Sequence, residues 1–163
     1  MLLLVLALLF PGPCLLSLPA DGPVVRGFAP EGLYGGHWGI DIAVDLATPV
    51  RTAASGVVTF SGNVAGNETV TVHHGGGVRT SYSYLTARYV TTGQAVAAGT
   101  ILGASGRDHG IESVHFSLRL GARYADPLSS CGTVGPPSAA LRLAPTFATY
   151  PVSRAPRSSR RDI

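Results

Sequence analysis

The sequence predicts an all-β protein with a compact antiparallel sheet or sandwich, and three observations lead to this prediction. The composition is 45% hydrophobic and 13% charged, with 21 Gly and 12 Pro in 163 residues, which is typical of a turn-rich β protein. Short apolar segments between residues 24 and 128 alternate with turns rich in Gly, Pro and Asn. No helical period extends over three turns in this region.

The first half of the region contains four apolar segments that are expected to form strands: Val24–Phe28, Ile40–Val44, Val57–Phe60 and Thr69–His73. Between the second and the third, Thr48 begins an irregular segment that ends in a turn at Ser55 and Gly56. Another turn is expected over Ser61–Gly66. In the fourth segment Val70 and Val72 point to one face, which predicts one buried side.

A hairpin turn is expected at His74–Gly77, because its three consecutive glycines tolerate positive φ. The strand after it is expected over Val78–Leu85. Alternation places Tyr82 and Tyr84 of this strand on the same face.

Beyond the hairpin, two short strands are expected within residues 90–102, and a loop is expected over Gly103–Glu112. The strand after this loop, Ser113–Leu120, has the clearest pattern in the chain. Apolar residues occupy every second position, which predicts that one face packs in the core: Val114, Phe116, Leu118 and Leu120. His115 lies on the opposite, polar face, where an imidazole without a function would be an unusual choice.

The two ends of the chain differ from this β domain, which is expected to comprise residues 24–130. Residues 1–20 include an apolar run of nine residues, which is too short to span a bilayer and is typical of a secretory signal. A buried N-terminal segment is the alternative, because no Lys or Arg precedes Arg26. Residues 131–163 are rich in Pro, Ser and Arg and are expected to be a disordered tail.

The charge distribution argues against a nucleic-acid-binding protein. Residues 21–130 hold seven Arg against eight acidic residues, whereas residues 131–163 hold five Arg against a single Asp. A nucleic-acid-binding domain would carry its basic patch on the folded domain itself. The arginines of the tail are expected either to be solvated or to tether the chain weakly to an anionic surface.

An imidazole and a carboxylate, the ligand types of a zinc site, stand four residues apart at His37 and Asp41. On an extended strand they would be ~13 Å apart, at ~3.3 Å per residue, so sharing a metal requires a bend. Gly39 permits that bend. A surface His beside a turn Asp is the alternative interpretation. His115 would complete three protein ligands with an open position, the pattern of catalytic zinc.

A series of motifs in matching order resembles the lysostaphin/LytM-type peptidoglycan endopeptidases, family twenty-three of the metallopeptidases. The resemblance covers about residues 35–128 and runs through these segments: His37–Asp41, Ala47–Val50, Ala53–Val58, Val70–His74, Ser81–Leu85, Gly93–Val96, Gly99–Gly103, Val114–Phe116 and Asp126–Pro127. It implies the compact antiparallel β fold of this family, the duplicated hybrid motif. It also implies an exported, cell-wall-associated zinc hydrolase that cuts peptidoglycan peptides. By position, His37, Asp41 and His115 correspond to the family's ligands for one Zn²⁺.

Two positions depart from the family's pattern. The family has a second His two residues before its last ligand and another in a Tyr-x-His-Leu segment, where this chain has Ser113 and Tyr84. General acid–base help of the kind these histidines give is worth ~10²–10⁴-fold. Tyr84 could still donate a hydrogen bond to an oxyanion, whereas Ser113 cannot act as a base at neutral pH. His109 and Glu112 are possible substitutes, although Glu112 would face away from His115 on an ideal strand.

These departures leave two functions open. The first is an exported zinc endopeptidase that acts on cell-wall peptides, with Tyr84, Ser113 and His109 as candidate catalytic residues. The second is a homologue that keeps zinc for stability and binds peptidoglycan or a cell-wall partner without cutting it.

Overall fold

The computed structural model describes residues 16–33 and 35–130, and antiparallel strands dominate this part of the chain. The elements in chain order are β1 (Val24–Arg26), β2 (Ala29–Glu31), β3 (Gly35–His37), β4 (Ile40–Ala43), β5 (Pro49–Arg51), β6 (Gly56–Val64), β7 (Asn67–His73), β8 (Val78–Arg88), β9 (Ala95–Val96), β10 (Ile101–Asp108), β11 (Ile111–Leu120), β12 (Arg123–Ala125) and α1 (Pro127–Ser130). The predicted all-β fold is confirmed.

Ten of the strands form one sheet with the order β1-β4-β11-β10-β8-β7-β6-β9, in which β12 pairs with β11 and β5 pairs with β10. β2 and β3 form a separate two-stranded sheet. β11 pairs with four strands, β4, β8, β10 and β12. Side chains on β11 are therefore held in register from both sides.

The apolar face predicted for β11 lies in the core. Val114, Phe116 and Leu118 are fully buried, and the Phe116 ring packs against Tyr82 with the ring centroids 5.4 Å apart. Leu120 is exposed at the end of the strand. The opposite face of β11 therefore carries the polar side chains of the strand.

The predicted loop at Gly103–Glu112 is wrong. β10 continues through this segment to a tight turn at His109 and Gly110, which have φ of 48° and 86°. β10 lacks apolar alternation because some of its positions have no room for a side chain. A Cβ at Gly103 or Gly106 would overlap a carbonyl oxygen of the adjacent strand β8.

The predicted turn over Ser61–Gly66 is also too long. β6 continues to Val64, and the turn comprises Ala65 and Gly66, with φ of 50° and 92°. The polar residues that suggested a turn belong to β6 instead, where they pair with β7.

A β-bulge in β8 reverses the direction expected for Tyr84. On β7, Glu68 and Val70 pair with Leu85 and Tyr82, so two residues of β8 stand against one of β7. Tyr84 adopts a φ of 60° within this irregular stretch. The expectation that it shares the face of Tyr82 is wrong, because a bulge interrupts the alternation and re-aims a side chain.

The predicted signal and tail stay predictions. Residues 1–15 and 131–163 lie outside the described part of the chain. Leu16 and Ala20, at the end of the predicted signal, are buried, and the Ser17 amide donates a hydrogen bond to the Ala53 carbonyl at 2.9 Å. Cleavage after Ala20 would remove these contacts. Within the described residues, every helix is too short or too polar to cross a membrane.

Candidate metal centre and active site

Three strands bring the predicted ligands together. His37 ends β3, Asp41 lies on β4, and His115 lies on β11 directly opposite Asp41 in the pairing of β4 with β11. The chain bends between β3 and β4, which returns His37 towards Asp41. His37 and Asp41 are buried, and His115 is partly exposed.

The ligand atoms form a nearly equilateral triangle. His37 Nε2 lies 3.1 Å from Asp41 Oδ1 and 3.1 Å from His115 Nδ1, and the last two atoms are 2.7 Å apart. Tetrahedral ligands about 2.1 Å from a zinc ion stand about 3.4 Å from one another. Two imidazole nitrogens and one carboxylate oxygen at these separations fit a Zn²⁺ ion with little adjustment.

A hydrogen bond orients the His37 ring for this role. Its Nδ1–H donates to the Gly27 carbonyl oxygen at 2.7 Å, so in the neutral ring Nε2 carries the lone pair. That lone pair points at the Asp41 carboxylate and at His115. A cation among the three atoms would accept this lone pair.

Asp41 is held in its ionised form. Burial raises the pKa of the carboxyl group, but the hydrogen bonds and charges of His115 and His37 outweigh it, so the pKa lies below its usual value. At neutral pH the group is a carboxylate, which is the form that binds a metal.

Gly39 serves the site through its lack of a side chain rather than through an unusual φ. A Cβ at this position would lie 2.7 Å from His115 Nε2 and 2.5 Å from the Phe116 carbonyl oxygen. Its φ is outside the left-handed region. The expectation that Gly39 permits the bend by its conformational freedom is therefore replaced by a requirement for space under the His115 ring.

Comparison with known proteins gives the chain a family. The model of peptidase family M23 matches residues 35–127, more than half of the chain. The chain belongs to this family. The predicted resemblance is confirmed.

Members of family M23 are similar to this chain in sequence and in structure. The peptidoglycan DD-endopeptidase ShyA of Vibrio cholerae is 35% identical over 100 residues, which cover 60% of this chain and 22% of ShyA. Lysostaphin of Staphylococcus simulans superposes with a TM-score of 0.63 at 26% identity, covering 79% of this chain and 57% of that chain. A zinc-containing peptidase of Vibrio cholerae superposes with a TM-score of 0.60 at 25% identity, covering 68% of this chain and 38% of that chain. The chain spans less than half the length of the curated relatives it matches.

At one of the two positions that depart from the M23 pattern, Tyr84 lies beside the metal centre. Its ring centroid is 6.2 Å from that of His115, in an edge-to-face arrangement, and 6.4 Å from that of His109. Burial raises the pKa of the Tyr84 phenol, and the charge and hydrogen bond of Asp108 raise it further. The phenol therefore keeps its proton throughout the neutral range.

Asp108 lies beside Tyr84 and His109, a position that the sequence did not reveal. It is buried, and its Oδ1 accepts no hydrogen bond from the described residues, although His109 Nε2 lies 3.3 Å away at ion-pair distance. The one signal in the sequence is its position beside His109. A buried carboxylate oxygen without a hydrogen bond is costly, so the position of Asp108 calls for an explanation.

The remaining candidates differ in their surroundings. Ser113 is buried on β11, and its hydroxyl donates to the Ile111 carbonyl oxygen at 3.2 Å. Glu112 pairs with Arg107 at 2.7 Å, away from the metal centre. His109 is 78% exposed. The structure thus brings Tyr84 near His115 and His109 near Tyr84, while the Ser113 hydroxyl is bonded to its own strand.

Proposed function

We propose that this chain is an exported zinc metalloendopeptidase that hydrolyses peptide bonds of peptidoglycan at the cell wall. The observation that carries the proposal is the convergence of His37, Asp41 and His115 within 3.1 Å of one another in an M23 domain. The similarity to a peptidoglycan DD-endopeptidase supports the substrate, and the similarity to a zinc-containing peptidase supports the metal.

The three ligands are suited to one Zn²⁺. Zinc held by them would polarise the peptide carbonyl and activate a water molecule. The Gly27 carbonyl fixes the orientation of His37, and the low pKa of Asp41 keeps its charge available.

Tyr84 is proposed to stabilise the substrate rather than to take a proton from it. Because its pKa is raised, the phenol is a donor at neutral pH and can hydrogen-bond a carbonyl oxygen that gains negative charge. It cannot accept a proton under the same conditions.

Proton transfer is assigned to His109. It is the exposed imidazole beside Tyr84, and the Asp108 carboxylate lies close enough to orient its ring. A flexible surface His reaches the reacting atoms less often than a fixed strand His. The reaction is therefore expected to be slow for an M23 peptidase.

A zinc-binding homologue that binds peptidoglycan or a cell-wall partner without cutting it is the second candidate function. Ser113 favours it, because its hydroxyl donates its proton to the Ile111 carbonyl and cannot act as a base at neutral pH. The ligand triangle fits both functions.

The test is the release of peptides from purified cell wall by the full chain, with and without a chelator, together with elemental analysis. The endopeptidase proposal expects about one zinc per chain and chelator-sensitive release of new amino groups. His115→Ala should lose both, whereas the control His74→Gln should keep the zinc. Zinc and wall binding without release would favour the second function, and absence of zinc in the native chain would contradict both.

A further inference from the structure

A groove beside His115 runs along the polar face of β7, β8 and β11. Its volume is 350 Å³, and one wall consists of Trp38 and Tyr124, whose ring centroids are 5.4 Å apart. The groove contains His115 at one point and two arginines, Arg79 and Arg119, at another.

Strand pairing places these residues in rows across the sheet. Ser83 stands opposite His115, Ser81 opposite Ser117, and Arg79 opposite Arg119. Alternate residues of β11 share this face, so Arg119 lies four residues from His115, or ~13 Å at ~3.3 Å per residue. The arginine row is thus separated from the metal centre by one row of serines.

The two arginines form a concentration of positive charge without an acidic partner. Like charges directly opposite each other across a strand pair are unfavourable. Among residues 16–33 and 35–130, the ion pairs of arginine involve Arg88 and Arg107 and neither of the groove arginines. An anion between them would relieve the repulsion.

Both guanidinium groups are held in place and keep donors free. Arg79 donates to the Gly121 carbonyl oxygen at 2.8 Å. Arg119 donates to the Tyr124 hydroxyl and stacks on the same ring, with Cζ 4.2 Å from the centroid. A guanidinium has five N–H donors, so most of them remain for a ligand with two acceptor oxygens.

The floor between the arginines and His115 suits a peptide backbone. It is made of small hydroxyl side chains that bond to one another across the strands: Thr71 to Ser81 at 2.9 Å and Thr69 to Ser83 at 3.1 Å. An extended peptide of four residues spans about 13–14 Å. A peptide bond near His115 would therefore place a group about four residues away beside the arginine row.

We propose that Arg79 and Arg119 form a carboxylate subsite, which selects peptides carrying a free carboxylate about four residues from the bond held at His115. This inference rests on the proposed function and names the substrate class: an acidic peptide rather than a neutral one. The bidentate geometry of guanidinium and carboxylate gives the subsite its preference.

The test measures binding and not only cleavage. The probes are a disaccharide tetrapeptide from purified cell wall and the same muropeptide with its carboxylates converted to amides. The full chain, loaded with zinc, should bind the acidic form about tenfold more tightly than the amidated form, a difference of ~1.4 kcal/mol in binding free energy. Arg79→Gln/Arg119→Gln should bind both forms alike. Arg51→Gln/Arg107→Gln, an equal loss of two charges at positions outside the groove, should keep the preference.

The outcomes separate this inference from the proposed function. If the native chain cleaves wall but the double glutamine variant still prefers the acidic muropeptide, the subsite is overturned and the endopeptidase stands. If the native chain neither cleaves wall nor binds either muropeptide, both fail.

Arg79→Lys, which keeps the charge but not the bidentate geometry, should retain part of the preference. An unchanged melting temperature shows that the variants are folded. If inorganic phosphate competes as strongly as acetate, the two arginines bind anions in general and do not select carboxylates.

Discussion

At the scale of single residues, the arrangement of His37, Asp41 and His115 depends on a position that has no side chain. Gly39 lies under the His115 imidazole, and any side chain there would meet that ring and the Phe116 carbonyl. The close packing fixes the ring that supplies Nδ1 to the site.

Gly39→Ala should therefore lose metal without losing the fold. The added Cβ forces His115 to move, because the carbonyl group on its other side belongs to a central strand and cannot yield. Elemental analysis should show much less than one zinc per chain. Gly27→Ala is the matched control, since a Cβ there meets nothing within 4 Å, and full zinc loss in that variant too would contradict this explanation.

A second prediction concerns the two positions that depart from the M23 pattern. Tyr84 has a φ of 60°, a conformation in which His is several-fold enriched, so Tyr84→His suits the backbone. We expect Tyr84→His/Ser113→His to release peptides from cell wall faster than the native chain, by a factor on the order of 10² or more if proton transfer limits the rate.

The outcome identifies the residue that handles protons. A native chain already as fast as the double variant would mean that another group does so. His109→Ala would then be decisive, because a further loss of rate with zinc retained assigns the role to His109.

The convergence of His37, Asp41 and His115 could be predicted from the sequence, whereas the approach of Asp108 to Tyr84 could not. His37 and Asp41 stand in one short motif, and His115 lies on the polar face of a strand with a clear alternation, so each carries a local signal. Asp108 and Tyr84 meet only because β8 contains a bulge and β10 is a strand. Neither feature has a periodic pattern, since small residues and an irregular register leave no alternation to detect.

At the scale of elements, the β7–β8 hairpin contains a partly buried histidine with a structural role. His74 Nδ1–H donates to the Ser55 carbonyl oxygen at 2.9 Å, and its Nε2 lies 2.8 Å from the Thr80 hydroxyl. Burial lowers the pKa of His74 below 6.5, and the nearby charge of His73 adds to the effect. The ring thus ties the hairpin to the turn before β6 in its neutral form.

This predicts a pH dependence of stability. The unfolded chain takes up the His74 proton more readily than the folded chain, so the contribution is complete above pH 6.5 and is lost as the pH falls below it. The free energy of unfolding in urea should drop more between about pH 7.5 and about pH 5.5 in the native chain than in His74→Gln. Equal drops in both chains would show that other groups cause the acid sensitivity.

At the scale of the whole molecule, the segment before β1 belongs to the folded domain. Leu16 is 4% exposed, and the Arg51 amide donates to the Pro19 carbonyl at 2.9 Å. A chain that starts at Asp21 should be less stable than one that starts at Cys14, by about 1.5–3 kcal/mol for the burial of Leu16 alone. Urea unfolding of the two chains measures the difference, and Leu16→Ala in the longer chain should reproduce much of it. Equal stability would mean that the segment is dispensable and that cleavage after Ala20 is harmless.

Because Asp41 and His115 are directly paired across two strands, a bound ion would link distant parts of the chain. The two residues are 74 positions apart, so an ion held by both fastens the start of the domain to its last long strand. An ion that binds the folded chain alone stabilises it by mass action. A chelator should then lower the melting temperature of the native chain but not of His115→Ala, whether or not the protein cuts peptides. A domain stabilised in this way would lose stability with its ligands even after hydrolysis had been lost.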